Sequence, residues 1–304
     1  MSVLRMVLYS VIAAILWGSS YPMVKIALRG LHAVDIAFYR ATFATVFMAA
    51  VFYRQDIFTI RRKDLRLVII LSLTGVSVTS IFLYLGVEYS TPIKASFLMN
   101  TNPIIVALLA HIFLRERLGV IHSSGIVTAA AGTYIIMSNG RLLDLFASET
   151  LLGDTMALAA SVLWSIYTII YRRHALKESV NTERLTANIF ILAVPMLLVA
   201  SALTSNPLDI AFTSTEVQMS TVWLGIMSSG MTYLLFNRSL KTLGASTSAS
   251  SLFIIPLISL VLSYAIIGEE VTYYKVLGGG LILLGVLITQ VIARHRRGEK
   301  IQTH

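Results

Sequence analysis

Long uncharged runs broken by short clusters of charge dominate the chain. Setting each apolar run against its charged breaks predicts ten membrane-spanning helices, at residues 6–27, 34–53, 66–87, 92–114, 119–138, 152–171, 185–205, 218–237, 246–267 and 273–293. A helix needs about 20 mostly apolar residues to cross a hydrocarbon core about 30 Å thick. The expected fold class is therefore an all-α integral membrane protein. The first run is too long for the apolar region of a signal peptide. It continues into Lys25 without a convincing small-residue cleavage site, so it is expected to be an uncleaved first span.

Composition agrees. Of 304 residues, 56% are hydrophobic and 13% charged, against about 25% charged in soluble domains. A soluble protein with these runs would expose large apolar patches. The net charge of +9 raises nucleic acid as a partner, but the basic residues sort by loop instead. With the N-terminus inside, 18 fall on one face: Arg5, Arg54, Arg61, Arg62, Lys63, Arg66, Arg115, Arg117, Arg172, Arg173, Lys177, Arg184, Arg238, Lys241, Arg294, Arg296, Arg297 and Lys300. Six fall on the other: Lys25, Arg29, Arg40, Lys94, Arg141 and Lys275. The positive-inside rule then places both termini in the cytoplasm of a multi-pass protein of the cell (inner) membrane. An odd span count would spoil this alternation. The expected partners are the lipid bilayer and a small-molecule substrate, with no nucleic acid. The chain has no cysteine, which excludes disulfides, thiol chemistry and cysteine-ligated metals.

The two halves match. Pro103, Glu116, Gly125 and Gly132 recur as Pro256, Glu269, Gly278 and Gly285, each shifted by 153; Leu16-Trp17 and Lys25 recur as Leu163-Trp164 and Arg172, shifted by 147. Residues 1–140 are therefore expected to form a first five-helix repeat and 141–304 a second, within one integrated membrane domain. Five is odd, so the second copy enters the membrane from the opposite side. Inverted repeats of this kind can exchange roles and open one site to each face in turn.

The Leu-Trp-Gly-Ser-Ser-Tyr run at 16–21, the stretch leading to Asn102-Pro103, Leu114-Arg115-Glu116-Arg117-Leu118 and their second-half echoes resemble the drug/metabolite transporter superfamily. The branch most resembled is the EamA-type ten-helix carriers, over almost the whole chain. The resemblance implies ten helices around a central cavity, a pseudo-two-fold axis in the membrane plane, and export of amino acids or related small metabolites. The second half departs from the first motif where Ser165 replaces Gly18.

Helix rise places the duplicated anchors at one depth. At 1.5 Å per residue, Trp17, Trp164, Pro103 and Pro256 each lie roughly 15–18 Å from the start of their spans, near the middle of the core. Pro103 and Pro256 are expected to kink their helices and line the cavity, or else only to pack. A mid-helix proline frees a carbonyl that needs a partner or a wet cavity. Asn100, Thr101 and Asn102 sit in the turn before Pro103, and Ser248, Ser250 and Ser251 precede Pro256. Trp17 and Trp164 are too deep for an interfacial belt. They are either core packing or an aromatic wall for substrate, joined by Tyr21, Tyr84, Tyr167 and Tyr233.

Arg40 and Lys94 lie toward the outer mouth and align with Ala187 and Thr247, so a symmetric scaffold does not require them. Arg40, roughly 9 Å inside its span, should face a partner or a wet cavity. Asp35 and Glu88 are the structural candidates, and a substrate carboxylate is the functional one. Glu116 and Glu269 precede helices whose positive N-terminal ends favour an acid, which reads as structure. Gly125/Gly132 and Gly278/Gly285 form small-residue seams, across which a second copy of the chain, as a homodimer, is a candidate partner.

No Asp or Glu lies near the middle of any span, and the first span lacks the Glu expected of the small multidrug-resistance relatives. Export of quaternary cations is therefore disfavoured. The six histidines form no metal cluster, and no Gly-x-Ser-x-Gly or phosphate loop occurs. No catalytic residue, metal or cofactor is expected.

Overall fold

The computed structural model describes residues 3–55, 57–102, 104–106, 109, 120–138, 149–175, 181–206, 208–243, 252 and 254–301. Among them all regular structure is helical. The elements are α1 (Val3–Ala27), α2 (Ala33–Val51), α3 (Leu65–Ser72), α4 (Val78–Tyr89), α5 (Pro92–Met99), α6 (Val120–Met137), α7 (Leu151–Ala175), α8 (Thr182–Thr204), α9 (Thr215–Gly225), α10 (Thr232–Leu243), α11 (Ile254–Ile267) and α12 (Tyr273–Ile301). Among the described residues, six stretches are long and apolar enough to cross a membrane: Leu8–Ala27, Ala33–Val51, Arg62–Tyr89, Leu151–His174, Thr182–Thr204 and Thr215–Lys241. Ser124–Met137, Ile254–Ile267 and Tyr273–Gly285 are shorter apolar helices. Much of the expected fourth span and the start of the ninth lie outside the described residues, Pro103, Ser248, Ser250 and Ser251 among them, and so does Glu116.

Local sequence explains where helices start. Thr91 accepts the Lys94 N–H at 3.3 Å, with Pro92 opening α5. Asn181 accepts the Arg184 N–H at 2.9 Å before α8, and Ser214 accepts the Val217 N–H at 3.4 Å before α9. Each side chain satisfies a donor that the first helical turn cannot. At the other end of α11, Gly268 takes φ +66°, a left-handed conformation suited to glycine. Its N–H bonds the Tyr264 carbonyl at 3.2 Å.

Hydropathy does not reveal one feature. The expected third and eighth spans are not continuous α-helices. Leu73–Ser77 joins α3 to α4 and Ile226–Met231 joins α9 to α10, both as π-helical turns. Their starts differ by the same 153 residues that relate the prolines and glycines. Each turn is closed alike: Thr79 donates to the carbonyl of Thr74, and Thr232 to that of Met227, five residues back. Such turns widen a helix locally and recur at functional sites.

Packing joins helices that are far apart in sequence. α1 lies against α11 and α10, while α7 lies against α5 and α4; α2 packs on α8, and α6 on α12. In the α6–α12 contact, a Cβ on Gly132 would strike the Gly278 carbonyl, and one on Gly285 would strike the Gly125 carbonyl. The glycine pairs expected to form close-packing seams do so here between two helices of the chain. Glu269 serves two helices. It accepts the Ile93 N–H at 3.1 Å, and so serves the N-terminus of α5 as well as Lys275 at 3.0 Å near the start of α12.

Candidate functional site

α1, α2, α4, α5, α7, α10 and α11, with the second π-helical turn, enclose a cavity of about 70 Å³. One water needs roughly 10–15 Å³ of such space, so the cavity has room for a small polar group and several waters. Trp17, Tyr21, Arg40, Tyr84, Asn100, Asn102, Trp164 and Tyr233 all line it. Sequence reasoning had named each of them.

The wall is aromatic. The Trp17 and Trp164 rings meet edge to face with centroids 5.4 Å apart. Tyr233 completes the group at 5.7 Å from Trp17 and 5.4 Å from Trp164. These T-shaped contacts suit the ring quadrupoles and hold both indoles at fixed angles against the cavity.

Arg40 supplies the charge. It is 6% exposed, and its guanidinium is held at four points. Nε donates to Ser229, Nη1 to Ser80 (2.9 Å) and Tyr84 (2.8 Å), and Nη2 to Tyr233 (3.4 Å). Its carbon also lies 5.7 Å from the centres of both tyrosine rings, within cation–π range. Every one of these partners is neutral. The expected structural partner Asp35 accepts from Ser201 and Ser205 instead. Glu88 forms no salt bridge with Arg40 and has a buried Oε2 with no partner.

The fourth span breaks at the cavity. α5 ends at Met99, and Asn100 and Thr101 form a turn. The Met99 carbonyl, four residues before Pro103, accepts the Ser161 hydroxyl at 3.1 Å, and the Asn102 carbonyl accepts Ser165 at 3.3 Å. Serines of α7 thus satisfy backbone groups that an interrupted helix leaves open. Asn100 and Asn102 are each 5% exposed, and their amide nitrogens have no partner.

A multi-helix chain with a polar cavity inside an apolar bundle matches one family model, that of the EamA-like transporter family, over residues 4–138 and 151–291. The chain belongs to the EamA-like transporter family. It is accordingly a multi-pass membrane transporter and not an enzyme. It is similar to an uncharacterized transporter of Archaeoglobus fulgidus, at 27% identity over 90% of this chain and 93% of the relative. Another uncharacterized transporter of that organism is 30% identical over 90% and 94%. A probable terminal-alkyne amino-acid exporter of Streptantibioticus cattleyicolor is 25% identical over 95% and 94%. A solved crystal structure of a protein superposes with TM-score 0.70 at 19% identity, covering 95% of this chain and 98% of its own; that likeness concerns the fold alone.

Three residues of this EamA-like transporter named from sequence do not reach the cavity. Lys94 is 2% exposed and bonds Asp154 at 2.7 Å and Thr150 at 2.6 Å. Ser90 donates to the same Asp154 carboxylate, so Lys94 is bound into a closed ion cluster. Tyr167 packs behind Trp164 at 4.9 Å and pairs with Asn237. Pro256 is buried in the first turn of α11, where a missing N–H costs little. Pro103 lies outside the described residues. Lys25, at the end of α1, donates to the Val87 carbonyl at 3.3 Å near the end of α4.

Residues missed from sequence include Ser80 and Ser229, two of the four holds on Arg40. The available signal was the polar content of the third and eighth spans. Ser77, Thr79 and Ser80 interrupt one apolar run, and Ser228, Ser229 and Thr232 interrupt the other, with Thr79 and Thr232 at the repeat offset.

Proposed function

We propose that the chain is a secondary transporter that exports small carboxylates, namely amino acids and compounds related to them, by alternating access. The carrying observation is Arg40. Its buried guanidinium lines the cavity and is held by four neutral hydroxyls, with no carboxylate among its described partners. A buried charge with only neutral partners is costly, and a substrate carboxylate arriving from the cytoplasm completes the pair. The tyrosines and serines pre-orient the guanidinium, so little order is lost on binding.

The moving parts are two five-helix halves, residues 1–140 and 141–304, of opposite topology, making ten helices in all. Three observations support this. The family model falls on two separate stretches. The π-helical turns repeat at the offset of the prolines and glycines. The helix contacts are preserved when the halves are exchanged. Both termini face the cytoplasm of the cell membrane, on the strength of the basic-residue bias. Similarity to a probable amino-acid exporter favours amino acids and their relatives.

Counterflow in proteoliposomes tests the reading. Vesicles carrying the purified chain and loaded with one unlabelled acid should accumulate its labelled form transiently, and empty-vesicle controls should not. No counterflow across a panel of amino acids and related carboxylates would reject the proposed substrate class.

A further inference from the structure

The cavity is lopsided in charge. On the donor side stand the Arg40 guanidinium and the amide nitrogens of Asn100 and Asn102, both buried without a partner. On the acceptor side stand only neutral oxygens, those of hydroxyls and amides and of carbonyls that each hold a donor already. Leu98 accepts both the Thr101 N–H (3.1 Å) and its hydroxyl (2.8 Å), and Phe97 accepts the Asn100 N–H (3.1 Å). The Met99 carbonyl is taken by Ser161 (3.1 Å), and the Trp17 carbonyl by the Ser20 hydroxyl (2.6 Å). Among the described residues no carboxylate lines the cavity. A ligand ammonium therefore meets only neutral oxygens of hydroxyls and amides, with no negative charge in the described lining to offset its own.

We infer that the site prefers a small monoanionic carboxylate whose second polar group is a hydrogen-bond acceptor, such as a 2-oxo acid, over the zwitterionic amino acid of the same skeleton. The inference rests on carboxylate capture by Arg40 and specifies what lies at the other pole. Two physical terms favour the oxo acid. A ligand carbonyl gives the orphaned amide donors of Asn100 and Asn102 an acceptor, whereas an ammonium leaves them unpaired. A monoanion also cancels the Arg40 charge in a poorly solvated pocket, while a zwitterion adds a positive charge of its own and leaves the pocket cationic. The aromatic wall of Trp17, Trp164 and Tyr233 accommodates the apolar body in either case.

Three probes with one carbon skeleton isolate the effect: 4-methyl-2-oxopentanoate, 4-methylpentanoate and leucine. Their binding to the purified full-length chain in detergent is read by isothermal titration calorimetry. The oxo acid should bind roughly tenfold or more tighter than leucine, a difference of about 1.4 kcal/mol, and severalfold tighter than 4-methylpentanoate. The combined substitution Asn100→Leu and Asn102→Leu should narrow the gap between the two acids, and Asn102→Asp should shift preference toward leucine. The wild-type comparison needs no variant to fold. If leucine binds as tightly as the oxo acid while Arg40→Gln weakens both, the inference fails and carboxylate capture stands. If wild type binds none of the three, or if Arg40→Gln leaves the affinities of all three unchanged, both fail.

Discussion

Trp17 and Trp164, 147 residues apart in sequence, touch edge to face at the wall of the cavity with ring centroids 5.4 Å apart. Each is the other's counterpart in the duplicated sequence. Under the proposed inverted repeat, positions that meet in space lie close to the axis relating the halves, where the proposed carrier holds its substrate while the halves exchange roles. Trp17 remains partly exposed to the cavity, whereas Trp164 is backed by Tyr167 and nearly covered.

Trp17→Ala should therefore cut substrate flux by roughly tenfold, as expected from losing about 1.4 kcal/mol of contact, while folded yield stays near wild type. Proteoliposome flux and size-exclusion profiles check this together. A collapse in yield with no selective loss of flux in any folded fraction would show that the indole only packs.

The Lys94–Asp154 pair should behave as structure. Removing one member of a buried pair strands the other charge and typically costs about 3–5 kcal/mol. Lys94→Met should accordingly lower the melting temperature in detergent, and adding Asp154→Leu should recover most of the loss. If Lys94→Met melts like wild type, the cluster does not hold the fold together.

Gly132→Leu should prevent assembly of a monodisperse protein, because its side chain would enter the Gly278 backbone. Gly280→Leu, where nothing lies within 4 Å, should be tolerated. Equal tolerance at both sites would contradict an internal glycine seam.

The orientation is testable on a chain without native cysteine. A cysteine at Glu149 should react with a membrane-impermeant maleimide from outside intact cells, and one at Lys63 only after permeabilisation. The reverse pattern would invert the proposed topology.

Much of this was legible in the sequence because lipid imposes simple rules. Apolar length marks spans, and small residues mark close contacts. Helix rise put Trp17 and Trp164 at one depth, near the middle of the core. Depth alone, however, says nothing of which way a side chain turns. Lys94 and Arg40 looked alike as basic residues near the outer ends of spans. They differ because Asp154, distant in sequence, happens to face Lys94, while only hydroxyls face Arg40. The π-helical turns were also hidden, since inserting one residue into a helix leaves average hydropathy unchanged. Ser80 and Ser229 gain meaning only once those turns aim them at the guanidinium.

The central claim is that Arg40 holds a substrate carboxylate, and one comparison tests it most directly. The affinities of an acid and of its uncharged amide are measured on wild type and on Arg40→Gln. A charge-assisted hydrogen bond contributes about 1.5–3 kcal/mol. Arg40→Gln should then weaken the acid by roughly 10- to 150-fold and spare the amide. Equal loss for acid and amide, or no loss for either, would contradict the account.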